Sequence, residues 1–330
     1  MTTSQYKPIF ISGVPRSGTT WVANILGSAQ RVRLLSEPDN EKYSFIARKW
    51  KHSLHRFPYA KKEENYDHIK DFYQIIFSGK FPKNRSLVNH FLNNIFHFNS
   101  TKSEEHIIQK EIRIKNKSRS FISNYYLTRL LYYLTIDSLK SQKRLIIKSV
   151  HSGLCLSLIE KHFDPIIILI LRHPANIIAS CLELNIQDAN RNLFNRPDLN
   201  ELMKEYKNQI NQLNDPLSKM GFQISFFYYI WEKQLENNTS KNWIIRSHED
   251  LCINPVEKYQ ALYNELNLNW DNNIIKKIKN MNKPGEGFKT FRVLDDLKNK
   301  WKRTLNNDQI SKIQKGYSIL PVKYYEEFKI

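Results

Sequence analysis

A chain of 330 residues is long enough to bury a core and makes one large domain or two ordinary ones, which excludes a peptide or a fragment held by staples. Its formal net charge of +19 accompanies a crowd of Lys, Asn and Ile at the expense of Gly and Ala, so the basic excess lends only weak support to an anionic ligand. Cys155, Cys181 and Cys252 are odd in number, lack C-x-x-C spacing and sit in apolar surroundings, which excludes a disulfide framework and a zinc site and reads as buried free thiols in a reducing compartment.

In chain order, the N-terminus "MTTSQYKPIFIS" enters its first strand, residues 8–12, with neither a charged leader nor an apolar h-region. No later apolar run approaches the ~20 residues of a membrane span, so the expectation is a cytoplasmic protein with no transmembrane segment. A turn, "GVPRSGTTW", and the helical pattern "WVANILGSAQ" follow, and then a second apolar run at 31–35. From about 38 to 144 runs an insertion dense in aromatic and basic residues. Beyond it come a strand at 145–149 with the helix "SGLCLSLIEKHF", a strand at 166–171 with "PANIIASCLEL", and a second insertion at about 185–242 that contains the helix-like "FQISFFYYIWEKQLE". A strand at 243–247 with "PVEKYQALYNELNL" completes the series. Uninterrupted β-branched runs alternating with helices predict a three-layer α/β/α fold around a central, parallel, mainly five-stranded sheet. The two insertions read as helical additions to one domain that cover the carboxyl edge of the sheet, where such folds bind ligands.

The turn after the first strand carries the outline of a phosphate-binding loop of the P-loop nucleotide-binding type, with Gly13 and Gly18 at its ends. Its amides and the following helix start suit a phosphate. The lysine that reaches the β and γ phosphates in a nucleotide hydrolase is absent: Thr19 stands there, and Arg16 stands three residues early. A glycine pair of this kind also occurs in plain strand-to-helix turns, whereas the full "PRSGTTW" after a strand is far more specific.

At these residues the sequence resembles sulfotransferases that use 3′-phosphoadenosine 5′-phosphosulfate (PAPS). The resemblance implies that Arg16 touches the sulfuryl group or bridging oxygen, that Ser17, Gly18, Thr19 and Thr20 hold the 5′-phosphate, and that Trp21 stacks on adenine; the alternative for Trp21 is core packing. It is carried further by "IIILILRHPANIIASCLEL", in which Arg172 and Ser180 match the arginine and serine that clasp the 3′-phosphate. Alone, Arg172 would read as a surface cation and Ser180 as a small residue at a helix–sheet contact. Two weaker matches widen the coverage. Glu249, Asp250 and Leu251 match a turn-closing, helix-capping E-D-L, and "TFRVLDDLKNKWKRTLNNDQI" resembles the segment that folds over the 3′-phosphate. Its R-K-G run is absent here, leaving Arg292, then Lys298 and Lys300, as the cations of that segment, or else as a solvated basic face.

Sulfuryl transfer needs a base and a cation at the bridging oxygen. Lys148 matches the family's strand-end lysine. For the base, Glu37, whose Glu37–Pro38 pair resembles that of carbohydrate sulfotransferases, stands against His151, which strand alternation turns away from Lys148 unless the strand has already ended. Glu37 also reads as a loop carboxylate near a helix start with Ser36 or Asp39 as cap. The resemblance implies PAPS as donor, no metal, an acceptor hydroxyl or amine on a carbohydrate, glycolipid or small metabolite, and no nucleic-acid partner. A P-loop kinase and a non-catalytic polyanion binder are the other function classes; the first lacks its lysine and a strand-end aspartate for Mg²⁺, and the second leaves both motifs unexplained.

Overall fold

The computed structural model describes residues 6–41, 44–51, 54–60, 65–78, 143–186, 193–194, 196–236, 242–283, 297 and 299–325. Five strands, Ile9–Gly13 (β1), Val32–Ser36 (β2), Arg144–Lys148 (β3), Ile166–Leu171 (β4) and Trp243–Ser247 (β5), form one parallel sheet in the order β2-β3-β1-β4-β5. Three of them are offset by a single residue from the sequence expectation. Register aligns the carboxyl ends: Ser36 lies opposite Lys148, Ile11 opposite Lys148, Gly13 opposite Ile170 and Leu171 opposite Ser247. The chain leaves β1 towards β2 and β3 on one flank and reaches β4 and β5 on the other, so the crevice of the topological switch opens at the end of β1.

The helices are Thr19–Leu26 (α1), Phe45–Trp50 (α2), Tyr66–Phe77 (α3), Leu156–Phe163 (α4), Pro174–Leu182 (α5), Asn200–Met203 (α6), Lys207–Asn211 (α7), Pro216–Glu236 (α8), His248–Cys252 (α9), Pro255–Glu265 (α10), Asn272–Met281 (α11), Lys300–Thr304 (α12) and Asn307–Tyr317 (α13). Uninterrupted apolar strands fill both faces, as the period of 2 requires. Phe10, Ile147, Ile167, Leu169 and Leu171 face one core with residues of α3, α4, α5, α8 and α13, and Ile9, Ile11, Ile146, Ile168 and Ile170 face the other with residues of α1, α9, α10 and α11.

Both insertions feed the first of these cores. Phe10 of β1 meets Tyr73 edge-on, with ring centroids 6.2 Å apart, and stacks on Phe77 at 5.9 Å. The long helix α8 is a layer helix more than a cover: Phe222, Phe226, Phe227, Tyr228 and Trp231 are buried in the core of the sheet face. At its crossing with α13 the backbones come so close that a Cβ on Gly316 would overlap the Ser218 carbonyl. The three cysteines are buried and form no disulfide among the described residues.

The E-D-L segment lies within α9. Ser247 caps α9, its hydroxyl accepting from the Asp250 amide at 2.9 Å. Glu249 instead points across to α5, where Oε1 accepts from the His173 amide and from Asn176 Nδ2, both at 3.0 Å. A carboxylate at the first turn of a helix is favoured by its dipole and its open amides, and here that helix belongs to the neighbouring β-α unit.

Candidate transfer site

The loop after β1 closes through Ser17 N donating to the Val14 carbonyl at 2.9 Å. Gly18, at φ 90°, is the N-cap of α1 and makes no side-chain cap hydrogen bond. Arg16 adopts φ 76°, a left-handed conformation that L residues seldom hold without help from their surroundings. Ser17 Oγ is buried with no hydrogen-bond partner. A helix start without a capping side chain and with a buried spare hydroxyl beside it is a site for an anion.

Arg16 and Arg172 meet there. Arg16 donates from both Nε and Nη2 to Ser180 Oγ at 3.1 Å, and Arg172 Nη1 donates to the Arg16 carbonyl at 2.8 Å. Tyr228 of α8 fixes the end of β4, its hydroxyl accepting from the Arg172 amide at 3.0 Å and donating to the Arg172 carbonyl at 2.5 Å. Arg172 is buried, and its Nε has no partner. Burial disfavours its charge, with the Glu249 carboxylate working in the opposite sense; a guanidinium stays protonated under such pressure, so an arriving anion is the natural relief.

His248, which sequence reading passed over, lies against this loop: a Cβ on Gly18 would overlap its ring. Burial, assisted by the charge of Arg172, holds its pKa well below the ordinary histidine value, so it packs as a neutral ring. Its one legible signal is position, directly after a strand that ends beside the loop. Trp21 is buried with its ring edge-on to Tyr259 at 5.0 Å. Near the C-terminus, Arg292 and Lys298 fall outside the described residues. Lys300 is ion-paired with Glu183 at the far end of α5 from Arg172. Trp301 covers the near end, stacking on His173 with centroids 4.7 Å apart. Burial first, then the charges of Lys302 and Arg172, push His173 down to about 4.

A second group gathers at the ends of β2 and β3. Glu37 continues the ladder, its amide donating to the Lys148 carbonyl at 2.6 Å, and turns out of it at φ 52°. Its Oε1 is ion-paired with Lys148 Nζ. Asp39 caps no helix: its Oδ2 accepts from the Tyr73 hydroxyl at 2.8 Å and from Ser149 Oγ at 2.6 Å, while Ser44 caps α2.

β3 ends at Lys148, so strand alternation does not govern His151, the condition under which its side chain need not turn away from Lys148. It is buried with Arg56 Nε donating to its Nε2 at 3.3 Å, Lys51 Nζ 3.4 Å from Nδ1, and the Phe57 ring at 5.4 Å. Glu41 Oε2 lies 3.4 Å from Nδ1. Atoms of Glu37, Asp39 and His151 come within 4.8 Å of one another, a spacing that would suit a metal ion. Lys148 is ion-paired with Glu37, and Lys51 and Arg56 stand beside His151. Arg196 ties the two insertions together, donating to the Phe57 carbonyl from Nη1 while Asp198 takes its other edge.

Burial favours the neutral form of Glu41, but the His151 hydrogen bond and the charges of Lys51 and His151 outweigh it and hold the carboxyl well below its ordinary value of 4.5. A depressed carboxylate contributes stability that is present above its unfolded pKa and is lost as pH falls through the folded one. Glu41→Gln should therefore lower the melting temperature at pH 7 and flatten its fall below about pH 4.5. Parallel acid melts of the two proteins that differ by a constant offset would contradict this.

A family model described as the sulfotransferase family matches residues 8–272. Among solved structures, the chain is similar to the sulfotransferase domain from the curacin biosynthetic pathway, at 14% identity and a TM-score of 0.47, covering 96% of this chain and 99% of that one. It is similar to the sulfotransferase domain from the Synechococcus PCC 7002 olefin synthase, at 13% identity and a TM-score of 0.42, covering 95% and 96%. Sulfotransferase STF1 from Mycobacterium tuberculosis follows at 12% identity and a TM-score of 0.38, covering 90% and 76%. No curated protein sequence matches the chain.

Proposed function

The chain belongs to the sulfotransferase family, and from that premise we propose that it transfers the sulfuryl group of PAPS in line to a hydroxyl or amine of a small-molecule, glycan or lipid acceptor. The observation that carries the reading is the hydrogen-bonded chain beside the loop, from Arg172 Nη1 to the Arg16 carbonyl and from the Arg16 guanidinium to Ser180 Oγ, with Glu37 and Lys148 paired across the neighbouring strand ends. The donor supplies a sulfur bonded to a bridging oxygen whose leaving group is adenosine 3′,5′-bisphosphate. Glu37 takes the proton of the acceptor as its oxygen or nitrogen bonds to sulfur. Lys148 turns its ammonium towards the bridging oxygen as the S–O bond breaks and the electron pair stays on the phosphate. The amides from Ser17 to Thr20 hold the 5′-phosphate, and Arg172 and Ser180 hold the 3′-phosphate. We take the chain as one domain whose two insertions, joined through Arg196 and Phe57, form the acceptor side. Among the described residues no helix is long and apolar enough to cross a membrane.

Adenosine 3′,5′-bisphosphate should raise the melting temperature without added metal, because arginines and loop amides supply the counter-charge that Mg²⁺ gives a kinase; at a hundredfold excess over Kd the gain is about 2.7 kcal/mol. ATP with Mg²⁺ should do less. A larger shift with ATP–Mg²⁺ would replace this reading with the kinase, and equal competition by bulk RNA, abolished by salt, would replace it with a polyanion binder.

A further inference from the structure

We propose that Arg16 belongs to the 3′-phosphate site, as a third ligand beside Arg172 and Ser180, and that the sulfuryl end of the donor is left to Lys148; this rests on the donor assignment above. Sheet order separates the two ends. Lys148 closes β3 on one flank of β1, whereas Arg172 and Ser180 follow β4 on the other. Arg16 sits on the turn after the middle strand, free to serve either flank by its sequence position, and its guanidinium lies on the β4 side with two donors on Ser180 Oγ at 3.1 Å.

Three observations favour an anion at that point. The backbone of Arg16 lies in the left-handed region, at φ 76°, and its carbonyl accepts from Arg172 Nη1 at 2.8 Å, which ties the two arginines together. The Arg172 guanidinium bonds the Arg16 carbonyl and the Arg16 guanidinium bonds Ser180 Oγ, so both cations belong to one hydrogen-bonded chain beside the loop, and an anion bound there would be attracted by both. Arg172 Nε is buried without a partner, a donor awaiting an acceptor. Ser180 Oγ, which accepts from Arg16, keeps its own proton to donate. Together these groups offer a phosphate more donors than the arginine and serine that the sequence motif supplies. A phosphate oxygen entering here would take over one of the two Arg16 donors now spent on Ser180.

The test is calorimetric titration with adenosine 3′,5′-bisphosphate and with adenosine 5′-monophosphate, which lacks the 3′-phosphate, on the wild type and on Arg16→Gln, Arg16→Lys and Arg172→Ala. Arg172→Ala should weaken the bisphosphate and spare the monophosphate. Arg16→Gln should behave alike, losing about 10- to 150-fold for the bisphosphate, the range for a charge-assisted hydrogen bond, with the monophosphate changed by less than about twofold. Arg16→Lys, which keeps the charge but not the fork, should recover part of the loss. An Arg16→Gln protein that loses equally for both ligands would place Arg16 at the 5′ end and overturn the proposal. A wild type that gains nothing from the 3′-phosphate would overturn the donor assignment itself, a result visible before any variant is made. Unliganded melting curves of Arg16→Gln and Arg16→Lys check that the loop still folds; if only Arg16→Lys does, its own bisphosphate-to-monophosphate ratio decides, an unchanged ratio counting against the proposal.

Discussion

Glu37→Gln should lower kcat by about 10²- to 10⁴-fold while adenosine 3′,5′-bisphosphate affinity stays near the wild-type value. The substitution keeps the shape of the side chain and removes the proton acceptor. It also strips Lys148, itself buried, of the carboxylate that neutralises it, and an unpaired buried ammonium is expensive. Lys148→Met, which removes the cation from the bridging oxygen, should lower kcat comparably. Because the two groups act as a pair, the double variant should fall much less than the product of the single losses. His151→Ala is the contrasting variant. Its ring is wedged among Arg56, Lys51, Glu41 and Phe57, so its removal should lower stability first and leave kcat per folded molecule much nearer to wild type. Initial rates with any acceptor that supports turnover, corrected for the folded fraction, would settle the assignment. A nearly active Glu37→Gln beside an inactive, fully folded His151→Ala would move the base to His151.

Gly18→Ala should destabilise the unliganded protein by about 2–4 kcal/mol, combining the left-handed backbone penalty for a residue with a Cβ and the overpacking of a closed contact. Gly18 sits at φ 90°, and the new methyl would overlap the His248 ring. Bisphosphate binding should fall along with stability, since the amides of the loop can point at one phosphate only while this turn keeps its shape. Adding His248→Ala opens the space but not the dihedral angle. The double variant should therefore regain the packing part of the loss, leaving about 1–2 kcal/mol. Urea unfolding of the four proteins separates the two contributions, and a Gly18→Ala protein as stable as wild type would show that the turn tolerates a right-handed geometry.

These expectations depend on features of unequal legibility. The five strands, the loop and the helix after it follow from short-range chemistry: β-branched runs such as "IIILIL", a glycine where the chain must turn left-handed, and a proline at the first position of α5 each act within a few residues of themselves. Arg172, Glu37 and Lys148 stand at or just beyond the end of a strand, where a parallel sheet collects its ligands, and they and Ser180, within α5, are singled out by the resemblance of their motifs. Local chemistry does not reach the surroundings of His151, set by Arg56, Lys51 and Glu41 of the first insertion, or the partner of Glu249, which lies at the start of α5.

What the sequence determined by itself is which residues stand at the carboxyl edge of the sheet. Which of them meet was decided only by the tertiary structure. Arg16 and Ser180 are 164 positions apart, Arg172 and Tyr228 are 56, Asp39 and Ser149 are 110, and His151 and Arg56 are 95. These contacts follow from the strand order β2-β3-β1-β4-β5 and from the packing of α3 and α8 on one face. Strand order is fixed by the packing of whole layers and the handedness of crossovers, and no local preference encodes it. The side of β1 to which Arg16 turns, and with it the phosphate it serves, is therefore a property of the folded sheet.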